Sequence, residues 1–202
     1  MSRAAQLAKL IGNDITISSG VITFTNAPQK VGMSLLLSAT ISSAVSEYDV
    51  SSTYINSTYD DYFVKFNFFP ATDNVDLEFR VFVGGAIQTG NIYGFEIAGM
   101  SSSTYEGSNA TDNGRFNVTN MGSASGEGTS GHFFMHNINS TTHSFTMMGQ
   151  STQYNTSASP NVNHFSTHLI PANAANVVNG IRFYMSSGNI ASGNVKVYGV
   201  NT

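Results

Sequence analysis

Histidines fall in two pairs, His132/His136 and His164/His168, each with the spacing of four that on a helix aims both rings at one metal ion. The residues around them alternate like strands. Along a strand that spacing holds the two rings about 13 Å apart, at roughly 3.3 Å per residue, too far to share an ion. No metal site within one chain is therefore expected; a ring of histidines about a threefold axis is the other way to gather them. The acidic concentration is Asp60, Asp61, Asp73, Asp76 and Glu78. Paired carboxylates can hydrolyse glycosidic bonds. Here Asp76 and Glu78 flank Arg80 on the predicted solvent side of a strand, so solvated charges are expected. Asp73 sits in a turn where calcium is the ion to consider. Residues 126–131, Gly-Glu-Gly-Thr-Ser-Gly, match G-x-G-x-x-G literally, but a dinucleotide site needs a strand before and a helix after it. The flanks are a Ser/Gly loop and a Phe-rich strand, so no cofactor is expected. Neither a G-x-S-x-G elbow nor a recognisable Ser, His and acid order is present. No residue is assigned a catalytic role. Tyr54, Tyr59, Tyr105 and Tyr154 lie in polar loops, and aromatic rings beside short polar side chains suit a sugar.

The elements that must position these residues are strands. Between 62 and 83, Tyr62, Val64, Phe66 and Phe68 alternate, Pro70-Ala-Thr-Asp-Asn74 supplies turn chemistry, and Leu77, Phe79, Val81 and Val83 alternate again. The period of two predicts a β-hairpin, with Asp76, Glu78 and Arg80 facing solvent. Phe63 and Phe69 make the first strand apolar on its other face too. Such a strand is either covered twice or meets another subunit. Further strands are predicted at 14–17, 21–25, 33–42, 91–100, 115–118, 131–137, 143–148, 163–170, 181–185 and 194–200, with 48–59 a polar connection. Residues 101–130 read as a nearly low-complexity loop of Ser, Gly, Asn and Thr. One helix is predicted, over residues 2–11, with Ser2 as cap, Leu7 and Ile11 on its apolar face and Gly12 ending it. Together these give an all-β antiparallel sandwich, a jelly roll over 31–202, preceded by a helix and strand-pair anchor over 1–30.

A chain of 202 residues, 41% of them hydrophobic, suits one β-rich domain that needs no disulfide, and it has no cysteine. Only 10% of residues are charged, and the net charge is -4 with eight scattered basic residues. That excludes the clustered cations that nucleic acid demands. No run is long enough to cross a bilayer and no apolar signal segment follows Arg3 and Lys9, so synthesis and folding in a cytoplasm are expected.

Residues 57–62 (Ser-Thr-Tyr-Asp-Asp-Tyr), 70–74 with the alternating strand after them, 181–190 (Ile-Arg-Phe-Tyr-Met-Ser-Ser-Gly-Asn-Ile), Ala191-Ser-Gly193 and Tyr198-Gly199 carry a resemblance. They resemble the jelly-roll module of tail-fibre and related virion proteins of marine bacteriophages, over roughly 31–200. The resemblance implies a fold and a place on a virion, and brings no catalytic residue. The expected function is a non-enzymatic virion protein exposed on the particle, most simply for host attachment of the tail-fibre, receptor-binding type. Capsid decoration, as a cement or head-fibre protein, is the alternative, favoured by the lack of a long shaft; a glycan-cleaving enzyme is the remote one. The expected partners are other copies in a homotrimer, virion proteins met through the N-terminal segment, and a host surface glycan. Phe63, Phe69, Leu7 and Ile11 are the expected interface residues.

Overall fold

The computed structural model describes residues 15–18, 21–24, 32–99, 104–118, 120–173 and 175–200. The helix predicted over 2–11, with Leu7 and Ile11, lies outside them. By contacts the chain divides into Met1–Gly32 and Met33–Thr202. In the first unit β1 (Ile15–Ser18) pairs antiparallel with β2 (Val21–Phe24), in register from Ile15↔Phe24 to Ser18↔Val21.

The second unit contains β3 (Met33–Ile41), β4 (Glu47–Val50), β5 (Asp61–Pro70), β6 (Leu77–Val83), β7 (Ala86–Ile87), β8 (Tyr93–Gly99), β9 (Thr104–Thr111), β10 (Gly114–Arg115), β11 (Gly128–His136), β12 (Thr146–Tyr154), β13 (Pro160–Leu169), β14 (Val178–Met185) and β15 (Ile190–Val200). A 3-10 turn, Pro171–Asn173, precedes β14. Eight strands form a large sheet in the order β3-β15-β5-β11-β12-β13-β8-β9. A smaller sheet runs β10-β6-β14-β4, with β7 added on β6. All pairings are antiparallel, and the two sheets pack as a sandwich. Strands nest first with last, β3 with β15, β4 with β14, β8 with β13 and β11 with β12, as in a jelly roll, but the two sheets share the strands unequally.

The predicted hairpin over 62–83 is corrected. β5 lies in the large sheet and β6 in the small one, so the Pro70–Asn74 turn carries the chain across the sandwich. Its turn chemistry is real. Asn74 adopts φ 65°, and its N–H donates to the Met121 carbonyl at 2.9 Å. Asp73 Oδ1 accepts from the Ser123 N–H at 2.9 Å, and Asn120 Nδ2 donates to Asn74 Oδ1 at 2.8 Å. Asp73 thus ties down a neighbouring loop. A hairpin and a corner between sheets bury the same alternate residues, which is why the pattern could not separate them.

Two more segments differ from expectation. Residues 48–59, read as a connection, begin with the strand β4, and the low-complexity stretch 101–130 contains β9 at the edge of the large sheet. Both are edge strands, β4 only four residues long and β9 of the sequence Thr-Tyr-Glu-Gly-Ser-Asn-Ala-Thr, so hydrophobic alternation is weak in each.

Tyr62, Val64, Phe66 and Phe68 of β5 face inward and are buried, as are Leu77, Phe79 and Val81 of β6 and Ile181 and Phe183 of β14. Phe116, just past β10, is the hub between the sheets. Its ring lies 5.1 Å from Phe66, 5.0 Å from Phe79, 5.5 Å from Phe133, 5.1 Å from Phe165 and 5.9 Å from Phe183. Buried polar groups fix that loop: Ser151 Oγ donates to the Phe116 carbonyl at 2.6 Å, and Asn117 Oδ1 accepts from the Leu77 N–H at 2.9 Å. Tyr93 spans the layers, donating to the Gln88 carbonyl and accepting from the Val81 N–H, and burial lifts its phenol to about 12.

Candidate functional site

Each sheet has an outer face, and the two faces differ in chemistry. On the small sheet every arginine of the described residues is held by acids. Arg80 pairs with Asp112; Arg182 makes a two-pronged contact with Asp49 at 2.7 Å and reaches Glu47 at 2.8 Å. Arg115 lies 3.8 Å from Asp76 and 3.7 Å from Glu78. The guanidinium of Arg80 also covers the Tyr184 ring, and that of Arg182 covers Phe82.

This corrects the reading of Asp76 and Glu78 as solvated. Glu78 is only 7% exposed, and Asn117 Nδ2 donates to Asp76 Oδ1 at 2.8 Å. Burial raises both carboxyls above their ordinary range, against the opposing pull of Arg115. A raised folded-state value favours the protonated form, so these groups stabilise the fold at low pH and lose that contribution as pH rises through the raised value. Relative to Glu78→Gln, the native protein is expected to lose urea resistance as pH rises from about 4, where the contribution is fully present, to about 7. A profile that climbs from acid to neutral pH, unchanged in the variant, would refute the assignment.

The large sheet's outer face is open. Strand register lays its side chains in rows running across the strands. One row is apolar: Leu35, Tyr198, Phe63, Phe134 and Met148 stand opposite one another on β3, β15, β5, β11 and β12. Phe63 lies 4.8 Å from Phe134 and 6.0 Å from Tyr198, ring to ring. Leu35 is 55% and Met148 54% exposed, while the three aromatic rings are half-buried. The next row carries amines, imidazoles and an amide: Lys196, Lys65, His132, Gln150 and His164. Beyond it runs a row of short polar groups, Thr40, Asn194, Asn67, Ser130 and Thr152, in which Asn67 Nδ2 donates to Ser130 Oγ at 2.8 Å.

Two shallow open depressions, about 450 Å³ and about 460 Å³, meet at His132 and Gln150. Gly131 and Gly149 stand immediately before those two residues, and a Cβ on either would run into the carbonyl of the other strand. The middle of the face is therefore built on a close backbone approach that only glycine permits.

The sequence-predicted residues distribute unevenly around this face. Phe63 belongs to it. Phe69 faces outward on the same strand, but Lys65 and Asn67 intervene and its ring packs beside Gly128, so the two do not form one patch. Tyr59 is buried, edge-on to Tyr62 at 5.8 Å, and is removed from the ligand candidates. Tyr54 packs half-buried against the core. Tyr154 is 44% exposed at the far end of β12, and Tyr105 lies in β9, a strand and not a loop, opposite Ala98. The histidine pairs lie on strands, with His132 and His164 flanking Gln150 and His136 Nδ1 3.2 Å from Asp61. Among the described residues no group of three or more His, Asp or Glu converges to hold a metal ion.

Strand alternation aside, nothing in the sequence singles out Phe134, Met148, Lys65 or Lys196 for a site, and Tyr198 stands out only within the segment that carries the resemblance. The adjacent pair Phe133-Phe134 carries the signal that could have found one of them, since successive strand residues face opposite sides.

No family model matches the chain, and no curated protein or solved structure does. The outer face must be read on its own chemistry.

Proposed function

We propose that the chain is a non-enzymatic virion structural protein, exposed on the particle, that binds host surface glycan through the outer face of its large sheet. The observation that carries this reading is the half-buried Tyr198, Phe63, Phe134 row beside ladders of Asn, Ser, Thr and Gln. Aromatic rings offer sugar C–H groups an apolar surface, while short amides and hydroxyls meet the sugar hydroxyls. A stripe of this kind on a folded surface marks a place of contact. The resemblance to tail-fibre and virion jelly rolls supports the location. The edge strand β3, with Met33 48% and Leu35 55% exposed, offers further apolar surface for the homotrimer.

The test is binding to a panel of bacterial surface polysaccharides by the intact protein and by Phe63→Ala/Phe134→Ala. The variant is expected to lose at least about tenfold in affinity, roughly 1.4 kcal/mol, and to stay folded with a lowered unfolding midpoint, because both rings are partly buried and in contact. Unchanged binding in the variant would refute the face. Imaging of labelled particles separates attachment from capsid decoration. Release of reducing ends that Asp76→Asn/Glu78→Gln abolishes would instead restore the enzyme reading.

A further inference from the structure

Lys65 and Lys196 stand directly opposite one another on adjacent strands of the large sheet. Like charges so placed destabilise a sheet pair. Neither has an ion-pair partner among the described residues, whereas the described arginines are all paired on the other sheet. His132 stands next in the same row, opposite Lys65, and His164 closes it beyond Gln150. The row crosses five strands, about 19 Å at roughly 4.8 Å per spacing. Acids on this face lie to its side: Asp61 is engaged by His136, and Glu96 stands past Ser166 in the apolar row. Two facing lysines without an ion-pair partner are a local exception on a chain of net charge -4.

Resting on the glycan reading above, we propose that the ligand is an anionic polysaccharide lying across the strands. Its carboxylate or sulfate groups meet the Lys196, Lys65, His132 row, and its sugar faces lie on Tyr198, Phe63 and Phe134. The facing lysines then gain the counter-charge that the fold itself does not supply. Single-stranded nucleic acid would also use rings beside cations. The flanking ladder of Asn194, Asn67, Ser130 and Thr152 favours the glycan, whose units each carry several hydroxyls where a deoxynucleotide within a strand carries none.

The experiment measures affinity of the full chain for a polyuronate, a sulfated galactan, a neutral galactan of equal length and a thymidine oligonucleotide. At least one anionic glycan is expected to bind ten times or more tighter than the neutral one. That binding should weaken steadily with added salt and fall about tenfold in Lys65→Gln/Lys196→Gln. Equal binding of neutral and anionic galactans, unchanged in the lysine variant, overturns this proposal and leaves the glycan reading standing. Tightest binding of the oligonucleotide overturns it in favour of nucleic acid. Binding of none of the four overturns it, and the polysaccharide panel then decides the glycan reading separately.

Discussion

Replacing Phe116 by alanine is expected to cost about 3–5 kcal/mol, enough to remove a third or more of the stability of an ordinary domain. The ring is fully buried and lies within 5.0–5.9 Å, centre to centre, of Phe66, Phe79, Phe133, Phe165 and Phe183. Those neighbours belong to both sheets, so the cavity opens at the seam of the sandwich. The loop cannot shift to fill it, because Ser151 Oγ donates to the Phe116 carbonyl and the Asn117 side chain accepts from the Leu77 N–H. Phe116→Leu should restore part of the loss. Urea unfolding checks this directly, and a cost below about 1.5 kcal/mol would show that the seam collapses and that Phe116 is not its hub.

Phe116 also shows what was legible beforehand. Its neighbourhood reads as Ser, Gly, Asn and Thr, and nothing in residues 101–130 marks one Phe as central, since the contacts that make it so come from strands far along the chain. Alternation made most core strands legible, because Phe66, Val81 or Phe183 can bury only one face of a pleat. Which strand pairs with which was not legible. The 62–83 segment has the same pattern as a hairpin or as a corner, and only the opposing sheet decides.

The same limit applied to the candidate site. Lys196, Lys65, His132 and His164 are distant in sequence and form a row only once register is fixed. Glu78 was misread for a related reason: alternation put it outward, and it is outward, but Arg115 and Tyr184 cover it. Phe63 was read as surplus outward surface, and the structure adds Phe134 and Tyr198 beside it.

Gly149→Ala is expected to be the most damaging single change near the face, costing about 1–3 kcal/mol from overpacking alone. The added methyl would lie 2.6 Å from Phe133 Cβ and 2.8 Å from its Cα, besides striking the His132 carbonyl. Backbone cannot rotate away as a side chain would, so β11 and β12 must separate there. The separation would pull His132 from Gln150 in the middle of the face. Both the unfolding midpoint and glycan affinity should therefore fall, although every ring and lysine of the face is still present. A fully stable Gly149→Ala protein that binds normally would mean that the strands do not approach so closely.

The central claim is that the outer face of the large sheet is where this protein recognises its ligand. Titrating isotope-labelled protein with host surface polysaccharide and following its NMR signals tests that claim residue by residue. Shifts are predicted to cluster at Lys65, Asn67, His132, Phe134, Met148 and Gln150, and to leave the Arg80, Arg115 and Arg182 pairs of the small sheet unmoved. Shifts confined to the small sheet or to the loop carrying Tyr54 would contradict it.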